Sequence, residues 1–443
     1  MKINRLFIIL FNLKISEAFG INLKRAPEVK KVDTKIYKLV KPATINYLMS
    51  PLVGIVDGFW VSKLGNSEKL AGQGCADQIF NIFYRFSDFY SPIIAPEISL
   101  LNARNETEKI SEIVSTSLLS ISLLGVIVSL LVFNFSHQIT SIFIKDNNII
   151  SHYTLEYLKF RIIGLPFSLV NSVIFSILRG MMDFNSAIKA NFKSQFFNII
   201  ADPIFMIRYD IKGLAIASVM SEIYCTYEYI KLLNKKNIKY NKFKNSLSTF
   251  IETLQKSLYI QFKTLCYSLL TVVTNNKITS IDPTGKKVAA HILSLKLFDL
   301  GTIFSNGLNS VSSILISNEQ VFNTDKIARN RLLLWSNCLG IFQFVVFLNL
   351  KLFLGFFTND VIVLNECNKI ALLIALFGYT NNISTMFDGI LQGYQKYRLQ
   401  SIFAFFTLFS INLSMIFVKD LKDIWLNAFL ITVTKVIAIF KFI

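Results

Sequence analysis

The feature that most constrains the fold is a series of long apolar runs between residue 38 and the C-terminal residue 443. About twelve runs reach the ~20 residues that a helix needs to cross a bilayer. The chain is 53% hydrophobic with a mean hydropathy of +0.49, more apolar surface than a soluble protein buries. The predicted segments are 38–62, 73–100, 111–135, 150–178, 186–207, 212–234, 249–275, 286–317, 330–356, 361–392, 398–418 and 423–443. The sequence therefore predicts an all-α, polytopic membrane protein.

The basic residues are distributed between the apolar segments. The chain has 46 Lys and Arg against 28 Asp and Glu, a net charge of +18. Because the positive charge forms no single patch, we expect a lipid bilayer and no nucleic acid as partner. Roughly 24 basic residues belong to one set of alternate loops and roughly 11 to the other. This bias places both termini and the central link on the cytoplasmic, or stroma-equivalent, face.

Three short motifs recur in the two halves of the chain. The first pair is Ile177–Gly180 with Ile390–Gly393, the second Phe143–Asp146 with Phe357–Asp360, and the third Leu70–Gly72 with Val288–Ala290. The spacing between the two copies is nearly the same for all three pairs. Six helices in each half give the copies one orientation, so the sequence predicts a parallel repeat around a central cleft.

These observations divide the chain into four parts. Residues 35–234 form an N-lobe (helices 1–6), 235–248 a basic cytoplasmic linker, and 249–443 a C-lobe (helices 7–12). Residues 1–34 are predicted to be a targeting or basic tail. Within it, Lys2 and Arg5 precede a short apolar run and a small-residue segment, which resembles a leader of complex plastids. The predicted location is the plasma membrane, or a plastid- or apicoplast-type membrane if residues 1–31 are a leader.

The clearest candidates for chemistry are carboxylates inside apolar segments, because an ionised group there needs a partner or a cavity. Asp57 lies in the first segment between Pro51 and Gly58, and Asp202 precedes Pro203. Asn198 comes four positions before Asp202 and shares its helix face. Two carboxylates in one partly dehydrated pocket can hold an exchangeable proton. The alternative is that each only accepts hydrogen bonds and fixes helix packing.

Other charged residues are assigned structural roles. Asp183 follows Arg179 at helical spacing, so we expect a loop ion pair, and Arg85 can pair with Asp88. The remaining acids, which lie close to segment ends, are Asp77, Glu97 and Glu222.

No enzyme signature is visible. The five cysteines are scattered, the three histidines are isolated, and no zinc-protease, Walker or dinucleotide-binding motif occurs. We expect neither catalytic residues nor a metal or organic cofactor.

Taken together, the motifs resemble the multidrug and toxic compound extrusion (MATE) transporters over residues 35–443. They are Val56–Asp57, Tyr157–Leu158 with Arg161, Gly164 and Pro166, Leu178–Gly180 with Asp183, Asn198 with Asp202–Pro203, Gly213–Ser218, Ala289–Ile292, Phe357–Val361 and Phe387–Gly389. The Asp388–Gly389 dipeptide is similar to the DinF-like branch.

The resemblance implies an antiporter that exports small organic compounds by alternating access in exchange for H⁺, or less readily Na⁺. It assigns coupling to Asp57, Asn198 and Asp202, with Tyr157 and Ser218 as neighbours. It places Asp388 at the substrate cleft and implies a monomer. No carboxylate lies in the middle of helix seven, which argues against a second cation site. The alternatives are a lipid-linked precursor flippase of the same superfamily, disfavoured by few mid-membrane cations, and a non-transporting membrane scaffold.

Overall fold

A computed structural model describes residues 26–144, 148–238, 246–282, 285–349, 354 and 360–442. Across these residues the regular elements are helices, as predicted. The first half contains α1 (Ala26–Leu64), α2 (Ser67–Ser87), α3 (Ser91–Ala103), α4 (Thr107–Asn134), α5 (Ser136–Phe143), α6 (Asn148–Arg161), α7 (Leu165–Gly180), α8 (Phe184–Tyr209) and α9 (Ile211–Lys235). The second half contains α10 (Ser246–Ile281), α11 (Lys286–Val321), α12 (Asp325–Leu348), α13 (Val361–Gly393), α14 (Tyr397–Ser414) and α15 (Leu421–Phe440).

The helices form the two predicted sets of six spans when α2–α3 and α6–α7 are each counted as one interrupted span and the short α5 is omitted. By length and apolarity alone, seven helical segments of the described chain can cross a membrane. The first helix begins at Ala26, so the tail predicted for 1–34 overlaps α1. The rest of that tail, the linker residues 239–245 and the motif residues 145–146 and 357–359 lie outside the described ranges.

Two spans predicted as continuous are interrupted. The α2–α3 break places Pro92 in the first turn of α3. A single 3₁₀ turn, Ile162–Gly164, separates α6 from α7, which again has a proline, Pro166, in its first turn. Proline has no backbone N–H to donate and is best accommodated at a helix start. Asp88 lies at the first interruption and Arg161 precedes the second.

Close helix contacts at equivalent glycines confirm the parallel repeat. A Cβ on Gly180 would lie 2.8 Å from Ile98 Cβ of α3, and a Cβ on Gly393 would lie 2.6 Å from Ile316 Cβ of α11. The two glycines are the last residues of the two copies of the first motif pair. The two isoleucines are separated by as many residues as the two copies of the third pair. Each glycine lets its helix approach the second span of its own lobe.

The turns between spans repeat as well. Asn105 and Asn323 follow equivalent helices with φ of 58° and 55°, and Met182 and Gln395 do so with φ of 60° and 56°. Asn105 and Asn323 are separated by as many residues as the two copies of the third motif pair. Met182 and Gln395 are separated by as many as the two copies of the first pair. Positive φ is unfavourable for residues with a side chain, so its recurrence at these matched positions shows that the lobes share backbone geometry in detail.

The lobes contact each other on the face of the membrane at which α1 begins, here named the terminal face. The first turns of α1 pack Val32 and Ile36 against the C-lobe core. Asp33 accepts two hydrogen bonds from Arg331, at 2.9 Å from Nε and 2.6 Å from Nη2. Further along α1, Thr44 lies against Gly307 of α11, where a Cβ would be 2.5 Å from its Oγ1. These contacts close the central cleft toward the terminal face.

Candidate functional site

A polar cavity of about 900 Å³ lies within the N-lobe and extends to the C-lobe helix α11. Several helices present polar side chains to it at helical spacing, and on three of them amides and hydroxyl groups form a stripe along one helix face. The stripes are Ser168, Asn171, Ser172, Ser176 and Arg179 on α7, Asn191, Ser194, Gln195 and Asn198 on α8, and Asn306, Asn309, Ser310 and Ser313 on α11. The cavity can therefore offer many hydrogen bonds to a bound molecule.

The structure brings Asp57 of α1 together with Asn198 and Asp202 of α8, and this group is named here the acidic cluster. Asn198 Nδ2 donates to Asp202 Oδ1 at 2.9 Å, and both residues are buried. The Asp57 and Asp202 carboxyl groups are within hydrogen-bonding range of each other. Within the described structure, no protein donor reaches Asp57 Oδ1 or Asp202 Oδ2. A single proton between the two carboxyl groups would turn two unsatisfied acceptors into one hydrogen bond.

Tyr157 extends the acidic cluster toward α2. Its side chain is 1% exposed and lies within hydrogen-bonding range of Asp77, which Gln73 also reaches. Asp77 interacts electrostatically with both Asp57 and Arg161. It therefore belongs to the cavity and not to a segment end as expected from sequence.

Arg161 balances part of this negative charge. Its Nη2 donates to Glu222 Oε1 at 2.7 Å, and the guanidinium lies 3.7 Å from the ring centre of Phe80. A Cβ on Gly164 would lie 2.3 Å from Glu222 Oε2 and 2.9 Å from Arg161 Nη1. The glycine at the 3₁₀ turn thus leaves room for this buried ion pair. Glu222 was expected near a segment end, and the structure pairs it inside the lobe.

Nearer the terminal face, the cavity is lined by Asp88 and Arg179. Asp88, at the α2–α3 break, accepts hydrogen bonds from Ser172 at 2.7 Å and from Ser91. Arg179 Nη1 donates to Ser310 Oγ of the C-lobe at 2.7 Å. The pairings expected from helical spacing, of Asp88 with Arg85 and of Arg179 with Asp183, are replaced by these contacts.

Asp183 instead caps α8 and pairs with Lys236. Its carboxylate accepts from the Ser186 backbone N–H at 3.1 Å and lies 2.6 Å from Lys236 Nζ. Partial burial raises the pKa of Asp183, but the hydrogen bonds from Lys236 and Ser186 outweigh it and hold the pKa below its ordinary value. The αL turn at Met182 ends the helical spacing on which the Arg179 pairing depended.

The two remaining predicted site residues lie apart from the acidic cluster. Ser218 lines the cavity, but its hydroxyl donates to Leu214 O of its own helix at 3.1 Å. Asp388 lies outside the cavity lining, in a buried group named here the C-lobe cluster: Lys263, Tyr267, Asp388, Gln400 and Lys435. Within that cluster Lys435 Nζ lies 3.4 Å from Asp388 Oδ2 and donates to Tyr267 at 2.8 Å.

The cavity also contains residues that sequence reasoning missed. Asp88 and Glu222 had been given structural roles, Arg161 had been named only as a residue of the family motifs, and the polar stripes had not been noticed. The stripes are a usable signal, because small polar residues recur at helical spacing within otherwise apolar helices. The break at Ser91 and the turn at Gly164 were not predicted, and they position Asp88 and Arg161.

An all-helical protein with two six-span lobes and a polar cleft belongs to the class of multi-pass membrane transporters. The family model MatE matches residues 42–204 and 260–418, which is most of the chain. The chain belongs to the MatE family of transporters. It is an integral membrane protein, and the relatives it matches are transporters and not enzymes.

A curated relative is the multidrug export protein MepA of Staphylococcus haemolyticus strain JCSC1435. It is 26% identical over 198 residues, covering 44% of each chain, so the match spans less than half of that relative's length. A MATE family multidrug resistance transporter of the MOP superfamily, solved in an outward-facing conformation, has a TM-score of 0.82 at 18% identity. A MOP superfamily transporter from Pyrococcus furiosus, whose reversed pocket polarity suggests a different function, has a TM-score of 0.79 at 18% identity. Both comparisons cover 93% of this chain and 95% of the other.

Proposed function

We propose that the protein is a secondary active antiporter that exports small organic compounds in exchange for H⁺, with the proton held between Asp57 and Asp202. The observation that carries the proposal is the pair of facing carboxyl groups in which Asp57 Oδ1 and Asp202 Oδ2 lack donors among the described residues. Two ionised carboxylates within hydrogen-bonding range repel each other, and one shared proton removes this repulsion. The export activity named for the MepA relative supports the direction of transport.

The geometry supports alternating access in the following way. The lobes are in contact on the terminal face, so the cavity and the acidic cluster face the opposite side. Asp57 lies beyond the Thr44–Gly307 contact by roughly 20 Å along α1, at a helix rise of ~1.5 Å per residue. A proton from the opposite side reaches Asp57 and Asp202 through the cavity and, shared between them, lowers their combined charge from −2 to −1. Rocking of the lobes then exposes the cavity to the terminal face, where the proton leaves and substrate binds.

The orientation of Asn198 favours H⁺ over Na⁺ as the coupling ion. Asn198 directs its Nδ2, a donor and not an oxygen ligand for a cation, toward Asp202 Oδ1. Tyr157 directs its hydroxyl to Asp77 and not to the carboxylate pair.

The cavity charges disfavour the lipid-linked precursor flippase. Four carboxylates line it, from Asp57, Asp77, Asp88 and Glu222, against the two guanidinium groups of Arg161 and Arg179. A pyrophosphate group would require the opposite excess. A transport assay separates the antiporter from the non-transporting scaffold.

The test uses the full chain in proteoliposomes with a panel of labelled cationic, anionic and zwitterionic compounds. Either a pH gradient at equal Na⁺ or a Na⁺ gradient at equal pH is applied. We expect the pH gradient alone to drive transport in the wild type, and Asp57→Asn or Asp202→Asn to reduce it to the level of empty vesicles. Asp210→Asn is a matched control at an exposed acid with φ of 58°, a conformation that asparagine tolerates. Full pH-driven transport by Asp57→Asn, or equal driving by Na⁺ alone, would refute the proposal.

A further inference from the structure

Arg179 is a buried positive charge that lines the cavity and forms its hydrogen bonds with neutral groups. It is 8% exposed, and its partners are Ser310 Oγ at 2.7 Å and Ser91 O at 3.5 Å. Tyr47 is also within hydrogen-bonding range. Its Nε has no acceptor in the part of the chain that the structure describes. A guanidinium carries five N–H donors, so Arg179 retains donors for a ligand in the cavity.

Asp88 is the matching negative charge. Its oxygens accept from three hydroxyl groups, Ser91, Ser172 and Tyr84, the last two at 2.7 and 3.4 Å. These partners are neutral, as are those of Arg179. Ser91 contacts both charges, through its hydroxyl to Asp88 and through its carbonyl to Arg179. Two opposite charges therefore flank one part of the cavity. They interact electrostatically with each other, while the hydrogen bonds of each are with neutral groups.

The internal repeat shows that the backbone plan shared by the two lobes also accepts neutral residues at these two positions. Arg179 and Gln392 are matched residues of the first motif pair, and Asp88 corresponds to Asn306 at the spacing of the third pair. Asn306 and Gln392 also line the cavity. The C-lobe thus places neutral amides of similar size where the N-lobe places a carboxylate and a guanidinium. The same backbone framework accepts either, which points to a ligand as the reason for the charges.

We propose that the transported substrate is zwitterionic, with its anionic group bound by Arg179 and its cationic group by Asp88. This inference rests on the export function proposed above and names the class of compound exported. A purely cationic compound bound at Asp88 would be repelled by Arg179, and a purely anionic compound bound at Arg179 would be repelled by Asp88. Rejection of the wrong partner by an unpaired like charge is an efficient source of specificity. The amide-rich stripes of α8 and α11 supply further hydrogen bonds to the polar parts of the molecule.

The test measures equilibrium binding to the purified full chain in detergent, without any ion gradient, so a failure of proton coupling does not affect it. Two matched probe sets are used: 2-phenylethylamine, 3-phenylpropanoate and phenylalanine, and pentylamine, hexanoate and 6-aminohexanoate. They differ in the separation of the two charges. We expect the zwitterion of at least one set to bind about 10- to 100-fold more tightly than both of its singly charged partners, the range for losing one charged hydrogen bond.

The variants Arg179→Gln and Asp88→Asn introduce the residues that the C-lobe already uses, and they are expected to fold. Arg179→Gln should bind the amine as tightly as the zwitterion, and Asp88→Asn should bind the acid as tightly as the zwitterion. Arg179→Lys keeps the charge and should keep the preference. Arg208→Gln and Asp210→Asn are controls at exposed charges outside the cavity lining.

Two results would overturn the proposal. In the first, the zwitterion of neither set binds more tightly than its singly charged partners. In the second, the preference persists unchanged in both Arg179→Gln and Asp88→Asn. If the preference holds while Asp57→Asn retains pH-driven transport, the substrate class stands and the coupling proposal falls.

Discussion

The acidic cluster of the N-lobe and the C-lobe cluster place buried carboxylates in two different surroundings. Asp57 and Asp202 face each other, and the side chain that donates to Asp202 is the neutral Asn198. Asp388 lies 3.4 Å from Lys435, whose ammonium also bonds Tyr267, and a second lysine, Lys263, donates to Gln400 at 3.5 Å. In the N-lobe, the charge of the carboxylate pair is left to be offset by an ion from outside the protein. In the C-lobe, the cation beside the carboxylate is a lysine of the protein itself.

This difference assigns distinct roles to two lobes that share a backbone plan. A carboxylate pair that needs an external proton can respond to a pH gradient, because the neutralising charge comes and goes. A carboxylate with a lysine beside it, as Asp388 has in this structure, does not need an external proton to offset its charge. We therefore interpret the C-lobe cluster as structural and the N-lobe cluster as the coupling site, in line with the absence of a carboxylate in the middle of the seventh predicted segment.

The largest effect is expected from Asp388→Asn. Removing one partner of a buried ion pair leaves Lys435 uncompensated, and such changes lower the free energy of unfolding by about 3–5 kcal/mol. Thermal unfolding of the purified variant in detergent measures it. The double variant Asp388→Asn with Lys435→Met removes both charges and should recover most of the loss.

Transport by that double variant tests the comparison directly. If the C-lobe cluster is structural, the double variant retains pH-driven transport once it is folded. Loss of proton coupling at recovered stability would mean that Asp388 also takes part in coupling, and the contrast between the lobes would fail.

A smaller loss of stability is expected from substitutions at the two glycines that pack equivalently in the two lobes. Gly180→Ala and Gly393→Ala each force a Cβ to within 2.6 Å of a neighbouring helix, and overpacking of this kind costs about 1–3 kcal/mol. Equal losses in the two variants would support equivalent packing, and a loss in only one would argue against it. Gly74→Ala is the control, since nothing lies within 4 Å of its Cβ, and it should stabilise α2 by about 0.5–1 kcal/mol. Unfolding temperatures of the three variants make the measurement.

The sequence predicted the spans and the repeat well because both depend on patterns along the chain. The predicted span 361–392 ends one position before the observed Val361–Gly393, and 186–207 lies just inside Phe184–Tyr209. The prediction failed where the chain leaves helical geometry. Asp183 turns away from Arg179 because Met182 adopts a positive φ, and Asp88 enters the cavity because the span breaks before Ser91. Contacts between distant segments, such as that of Glu222 with Arg161, have no local pattern.

The smallest change in the free energy of unfolding is expected at Asp183. Asp183 and its counterpart Lys396 precede equivalent helices in the two lobes. Asp183 caps α8 through Ser186 N–H, whereas Lys396 makes no side-chain cap on α14. Because the pKa of Asp183 is lowered in the folded protein, its contribution to stability is present above the unfolded pKa of ~3.9 and is lost as pH falls through the lower folded value. Asparagine caps helices as well as aspartate does, so Asp183→Asn removes only the ion pair with Lys236, about 0.2–1 kcal/mol.

Unfolding temperatures recorded between about pH 7 and pH 3 for the wild type and for Asp183→Asn isolate this contribution. We expect the two proteins to differ at neutral pH and to converge at the acidic end, because protonated Asp183 no longer attracts Lys236. Lys236→Met should reproduce the change at neutral pH without disturbing the cap. A difference that grows as the pH falls would show that the carboxylate destabilises this turn, and the N-lobe would then gain nothing from an acid where the C-lobe has a lysine.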